Sequence, residues 1–285
     1  VRITLARMRE SRRGAAHIGL PLDVQRDVAV PTADLRPHPG SDVFPARRSA
    51  PDPQAVTAAA QALERARRPL IVCGGGPITS GATRQVQELA ELLACPVATT
   101  ISGKGTIADS HPLALGVIGA NGGTLPTREV VTQSDLVLFI GCRAGSVTTE
   151  KWRYPGRDVP ILHLDVDPTV IGATYAPEVA LVGDARLGLS ALIESLRRSG
   201  RGNRESDAQA RVANAREAKF ETFRRLAESN ETPIRPERLV ADLQAVTPRD
   251  AIVVADPWTP CPYFSAYWHM HAAGRRYLST REQGA

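Results

Sequence analysis

The chain has 285 residues, 42% of them hydrophobic, and 35 Lys+Arg against 30 Asp+Glu give it a formal net charge of +5. That is enough for one large domain or two smaller ones, and its longest apolar runs, such as residues 136–140, fall far short of the ~20 residues a membrane helix needs. The basic runs at residues 65–68 and 197–204 have no interleaved aromatics to stack on bases, so they read as solvated helix ends and no nucleic-acid partner is expected.

Residues 1–24 open as a basic helix (Ile3, Leu5, Ala6, Met8) followed by a short strand, Ala15 to Ile18, stopped at Gly19-Leu20-Pro21. No signal-peptide pattern precedes it, and the start at Val1 and the close at Ala285 are expected to be cut ends. Residues 25–52 carry Pro31, Pro37, Pro39, Pro45 and Pro51 with few apolar residues between them, as an extended linker does.

Regular alternation begins at Asp52. A helix with Val56, Ala59, Ala60 and Leu63 inward leads to a strand at 70–73, which runs into Gly74-Gly75-Gly76-Pro77. A helix expected to begin at Ser80 carries Val86, Leu89, Ala90 and Leu93 on one face. A strand at 96–100, a loop with Ser102-Gly103-Lys104-Gly105, a helix over 126–133, strands at 136–140, 161–166 and 180–182, and a helix over 185–197 follow. Alternation with fully apolar strands implies a parallel sheet covered by helices on both faces, a doubly wound α/β domain over residues 53–200. Residues 201–235 read as a polar linker helix with a thin apolar stripe (Val212, Phe220, Phe223, Leu226). Residues 236–285 repeat the helix, strand and loop order and read as the start of a second α/β domain.

In open α/β sheets ligands bind beyond the carboxyl ends of the strands. Here those ends carry Gly74–Gly76, residues 101–105, Gly141 to Gly145, Asp165 to Asp167 and Gly183 to Ala185. Consecutive glycines let a ligand approach the backbone, or only make a tight turn; without G-x-G-x-x-G spacing they do not decide between the two. Arg143 is placed to form a fork to a diphosphate, and Asp165 or Asp167 to accept ribose hydroxyls, although Asp167 before Pro168 also suits a helix cap. His163 lies inside an apolar strand and reads as a core residue, and His111 before Pro112 as part of a turn. The loop at 102–105 is not a Walker A motif, because Gly105 follows the lysine. No H-E-x-x-H, G-x-S-x-G or paired Cys/His arrangement is present. The four cysteines lack C-x-x-C spacing, and Cys73, Cys95 and Cys142 sit in or beside apolar strands, which suggests a reducing, cytoplasmic setting.

The ordered set Gly74–Gly76, Gly103-Lys104-Gly105 with His111-Pro112-Leu113, Gly116 to Gly119, Ile140-Gly141-Cys142-Arg143, His163 to Pro168 with Ile171-Gly172, and Gly183-Asp184 resembles the central domain of thiamine-diphosphate enzymes of the acetolactate synthase type. Residues 19–24 resemble the end of that family's pyrimidine-binding domain, and residues 251–285 the beginning of its diphosphate-binding domain.

The resemblance implies a six-stranded central sheet holding FAD, ADP or nothing, with truncated α/β domains on both sides. By position, Gly75, Gly76, Gly119, Arg143, Asp165 and Asp184 would contact the nucleotide, and Thr259, Tyr263 and Ser279 would neighbour thiamine diphosphate. The family's chemistry is decarboxylation of a 2-keto acid and ligation of the remaining fragment to a second carbonyl, performed by the thiamine ylid with Mg²⁺ bridging the diphosphate, in a homodimer or tetramer. The family's ylid-promoting glutamate and metal motif have no counterpart here, so no catalytic or metal-binding residue is assigned and the chain is expected to catalyse nothing alone. This chain also has Ala144-Gly145-Ser146 where the synthases carry Phe-Asp-Asp, and Trp258 where relatives carry a glycine. The alternative reading is a non-catalytic nucleotide-binding module or partner subunit derived from the same family.

Overall fold

In the computed structural model, which describes residues 14–27, 43–200 and 206–279 together with Thr4, Met8 and Arg9, the chain divides into two compact units, residues 1–49 and 50–285. The first contains helix α1 (Leu22–Arg26). Residues 14–20 have no regular structure, so the strand expected at 15–18 is not formed; a lone strand leaves its backbone groups unpaired. Most of the expected first helix, and Pro31, Pro37 and Pro39, lie outside the described residues.

The second unit starts where Asp52 caps α2 (Pro53–Arg65), its carboxylate accepting from Gln54 N at 2.7 Å and Ala55 N at 3.2 Å. Proline at the first helical position costs nothing there, because its missing N–H would be unpaired anyway. The order continues β1 (Pro69–Cys73), α3 (Gly76–Ser80), α4 (Thr83–Leu93), β2 (Val97–Thr99), β3 (Ala114–Val117), α5 (Leu125–Thr132), β4 (Leu136–Ile140), β5 (Ile161–Asp165), β6 (Val179–Val182), α6 (Ala185–Arg198), α7 (Ala208–Ala227), α8 (Pro236–Val246), β7 (Val253–Ala255), α9 (Pro260–Tyr267) and β8 (Tyr277–Ser279).

Strands β3-β2-β1-β4-β5-β6 form one six-stranded sheet, and every pairing in it is parallel. Successive strand residues face opposite sides, so β1 sends Ile71 and Cys73 into a core with Val86, Leu89, Leu138 and Leu189. Leu70 and Val72 enter a second core with Val137, Phe139 and, from α7, Val212 and Ala215. Both faces are therefore covered, and the doubly wound arrangement is the one expected. Two details differ from expectation. The glycine turn leads directly into α3, and the chain breaks at Gly81 (φ +67°) before α4 begins at Thr83, so one expected helix is two. Strand β3, with Gly116 in its middle, had not been anticipated. In the carboxyl-terminal part β7 pairs in parallel with β8. Around this pair Val240, Cys261, Trp268 and Tyr277 pack with Ile101 and Val117 of the larger sheet's loops and edge.

Candidate functional site

Order β3-β2-β1-β4-β5-β6 reverses direction between β1 and β4, and a doubly wound sheet opens a crevice at such a switch point. Two loops meet there. Gly74 N donates to the Ile140 carbonyl at 2.9 Å and Gly76 N to the Gly141 carbonyl at 3.2 Å. A Cβ on Gly74 would lie 2.0 Å from the Gly141 oxygen, and one on Gly76 2.5 Å from the Gly141 Cα. These two glycines serve the contact between loops. Gly75 is different: its missing side chain faces Ser102 at 3.4 Å or more, and it lines the cavity.

The cavity encloses about 460 Å³, within the usual range for small-molecule sites. Its floor is Gly74, Gly75 and the loop after β2 (Thr100 to Ser102), and one wall is the loop after β4, from Gly141 to Thr148. Asn121 closes the β3 side, and Pro257, Cys261 and Ser279 come from the carboxyl-terminal strands and helix. The loop after β4 is tied down by Ala120 N donating to the Val147 carbonyl at 2.8 Å and by Arg128, which grips Glu150 with Nε and Nη2 at 2.9 and 2.6 Å.

Among the described residues that line the cavity, Arg143 is the one arginine, lysine, aspartate, glutamate or histidine. It is exposed, and it makes no hydrogen bond or ion pair with the described residues. With it come hydroxyls of Thr100, Ser102, Ser146, Thr148 and Ser279. Among the described lining residues, one guanidinium without a partner, several hydroxyls, partly exposed backbone at Gly75 and the absence of a carboxylate suit an anionic ligand of the phosphate class.

The structure thus brings Gly75, Arg143 and Ser279 together. Gly76 is turned to Gly141, and Gly119 (φ +94°) packs against the Val147 carbonyl. The Asp165 carboxylate accepts from Asp167 N at 2.9 Å, and burial raises its pKa. Asp184 caps α6, accepting from Arg186 N and Leu187 N at 3.0 and 3.2 Å. Gly76, Gly119, Asp165, Asp184, Thr259 and Tyr263 are not among the cavity-lining residues, and Trp258, 80% exposed, leaves that wall to Pro257. Asp167 accepts from Thr169 N at 3.0 Å, closing a turn.

His163 is buried with Nε2 2.9 Å from the Cys142 carbonyl, which fixes that nitrogen as a donor, and burial lowers its pKa. It is the core residue expected. His111 lies in a turn, accepting at Nδ1 from Leu113 N. Lys104 of the glycine loop faces Asp109 at 3.5 Å and is 3% exposed, away from the cavity. All four cysteines are free and buried. Asn121 and Cys261 line the cavity without having been singled out; for Asn121 the signal was its place just past β3.

No helix among the described residues is long and apolar enough to cross a membrane, and no cluster of metal-ligating side chains occurs among them. Residues 56–192 match the family model of the thiamine pyrophosphate enzyme central domain. The chain is 33% identical over 244 residues to a probable acetolactate synthase large subunit of Methanococcus aeolicus, covering 82% of this chain and 40% of that protein. It is 29% identical over 248 residues to a glyoxylate carboligase of Escherichia coli O157:H7 (87% and 41%). It is 29% identical over 267 residues to a putative thiamine pyrophosphate-containing protein of Bacillus subtilis (92% and 43%). The chain spans about two fifths of the length of these relatives.

Proposed function

Since this chain belongs to the thiamine pyrophosphate enzymes of the acetolactate synthase type, we propose that it supplies the central, nucleotide-holding unit of a carboligase or decarboxylase acting on 2-keto acids. The observation that carries the nucleotide reading is the 460 Å³ crevice at the β1/β4 switch point with the free Arg143 guanidinium on its wall. Arg143 would hold a diphosphate by a two-pronged, charge-assisted contact. The backbone at Gly75 lets the ligand approach without a Cβ in the way, and the hydroxyls of Thr100, Ser102 and Ser146 complete the donor set. An ADP-like ligand or the ADP half of FAD meets these requirements.

Thiamine diphosphate, when bound with Mg²⁺, supplies in this family the carbanion that attacks the 2-keto acid. The donors for Mg²⁺ are not gathered among the described residues, so the site for that pair is proposed for the whole enzyme, a cytoplasmic homodimer or tetramer. Ser279, on the cavity wall beside Cys261 Sγ (3.5 Å), and Thr259 and Tyr263 of the α9 region are its proposed neighbours in this chain. The test is calorimetric titration of the purified chain with ADP and with FAD. Saturable binding of either, weakened by Arg143→Ala, is expected; absence of binding by both would overturn the nucleotide reading. Pyruvate decarboxylation by the chain alone with thiamine diphosphate and Mg²⁺ would overturn the expectation that it is inactive by itself.

A further inference from the structure

Left-handed backbone suits glycine and strains a bulky side chain, yet Glu150, Lys151 and Trp152 adopt it in succession, at φ +49°, +59° and +62°. Such a run persists only where its surroundings over-determine it. Here they do. Arg128 grips the Glu150 carboxylate at 2.9 and 2.6 Å, Lys151 N donates to the Ser146 carbonyl at 2.7 Å, and Trp152 N donates to Thr149 Oγ1 at 3.0 Å. The fastened turn ends on Trp152, which is 50% exposed, although burial is the usual fate of so large an apolar ring.

Trp152 borders a hollow of about 500 Å³, which it shares with Arg157 from the end of the same loop and with Ala173, Thr174, Tyr175 and Ala176 from the turn before β6. Tyr175 is the fixed part. Its hydroxyl donates to the Pro155 carbonyl at 3.3 Å, and its ring lies 6.0 Å from that of Phe139 in the core beneath β4. Arg157 is not engaged: it is exposed and makes no hydrogen bond or ion pair with the described residues. The indole N–H of Trp152 likewise donates to none of them. No aspartate, glutamate or lysine is among the described residues that line the hollow. A half-exposed indole, a guanidinium without a partner, one threonine hydroxyl and two alanine methyls thus surround a space of the size usual for small ligands. None of these residues lines the crevice at the switch point, so the inference stands apart from the nucleotide reading.

We propose that the hollow between Trp152 and Arg157 is a second ligand site, which takes a small planar aromatic ring bearing an anionic group. The ring stacks on the indole, as flat π-systems do on tryptophan. The anion meets the guanidinium fork, whose geometry matches a carboxylate or a phosphate. Small alanines on the opposite side leave room for a flat ring and offer it an apolar surface. An aliphatic acid would leave the indole unused, and a neutral ring would leave Arg157 unpaired. An aryl carboxylate and a mononucleotide both carry the required chemistry.

The test is titration of the ¹⁵N-labelled whole chain with 2-naphthoate and, separately, with AMP, read by NMR. Trp152, Trp258 and Trp268 are the chain's tryptophans, so three indole N–H resonances are expected, and Trp152→Phe identifies the first. A saturable shift of the Trp152 resonance by at least one probe is the expected result, and the probe that binds more tightly names the source, aryl carboxylate or nucleotide. The shift should persist in Arg143→Ala, which alters only the crevice. Affinity should fall about tenfold or more in Arg157→Ala, the worth of a charge-assisted contact, and by a similar factor for the neutral 2-naphthamide. Both side chains are exposed, so neither variant should fail to fold. No saturable shift with either probe, a shift that survives Arg157→Ala unchanged, or one lost in Arg143→Ala overturns the proposal.

Discussion

Ser80 Oγ lies 2.9 Å from both carboxylate oxygens of Asp184, 104 positions further along the chain. Ser80 ends α3 and Asp184 caps α6, and Arg186 N donates to the same Oγ at 3.0 Å. The pair thus fastens the helix of the glycine turn to the last helix of the sheet. Asp184→Ala removes a helix cap, worth about 1 kcal/mol, and takes away the bond from the buried Ser80 hydroxyl to a carboxylate, worth about 1.5–3 kcal/mol more. Urea denaturation should show a loss of roughly 2–4 kcal/mol in the absence of any nucleotide, and a smaller loss for Asp184→Asn, which keeps one acceptor oxygen.

Gly74 and Gly75 are neighbours with opposite tolerances. Gly74→Ala places a methyl 2.0 Å from a backbone oxygen, whereas at Gly75 the nearest atom is 3.4 Å away. The first forces β1 and β4 apart and should cost several kcal/mol, beyond the ~1–3 kcal/mol of ordinary overpacking. The second should leave the thermal midpoint within a few degrees of the parent chain while weakening ligand binding. A differential scan of the two variants checks the contrast, and equal midpoints would refute it.

Arg143 is exposed and makes no bond within the described protein, so Arg143→Ala should not alter stability. Its loss should nevertheless lower nucleotide affinity by about 10–100-fold, the worth of a charge-assisted contact of 1.5–3 kcal/mol. Titration of both proteins in low salt checks this. An unchanged affinity would remove Arg143 from the site.

Lys219 has a folded pKa of about 7 against 10.5 when unfolded. Below pH 10.5 the unfolded chain takes up this proton while the folded chain resists it. Stability is therefore lost as the pH falls from about 10.5 to about 7, and below that the loss is complete. Each unit of depression is worth about 1.4 kcal/mol. Lys219→Met should stabilise the chain near pH 6 by more than it does near pH 10, a difference read directly from denaturation curves at the two pH values.

The strands that announce themselves are those without polar residues: β1, β4 and most of β5 could be read directly because a strand covered on both faces is apolar throughout. Strand β3 could not, being four residues long with a glycine at its centre. The break at Gly81 was hidden because the apolar face of α4 continues the spacing of a single longer helix. The place of Gly75 and Arg143 at the crevice was legible because each follows a strand end. Ser279 had been assigned only by resemblance, and its place on the cavity wall, like that of Cys261, depends on how the carboxyl-terminal strands pack against the sheet, which no local pattern records. The burial of Lys219 is of the same kind: its helix reads as polar, and only packing on β3 and Tyr267 takes the amine out of water.

The wholly parallel sheet also governs how the chain acquires its shape. Parallel neighbours cannot be joined by a two-residue turn, so each pairing must wait for a crossover, and β1 gains its second partner only when β4 has arrived. Non-local pairing of this kind is slow, and unpaired apolar edges persist meanwhile. The crevice, lying between β1 and β4, is therefore among the late features to form during refolding. Ligand present in the refolding buffer should raise the final yield without hastening the earliest compaction.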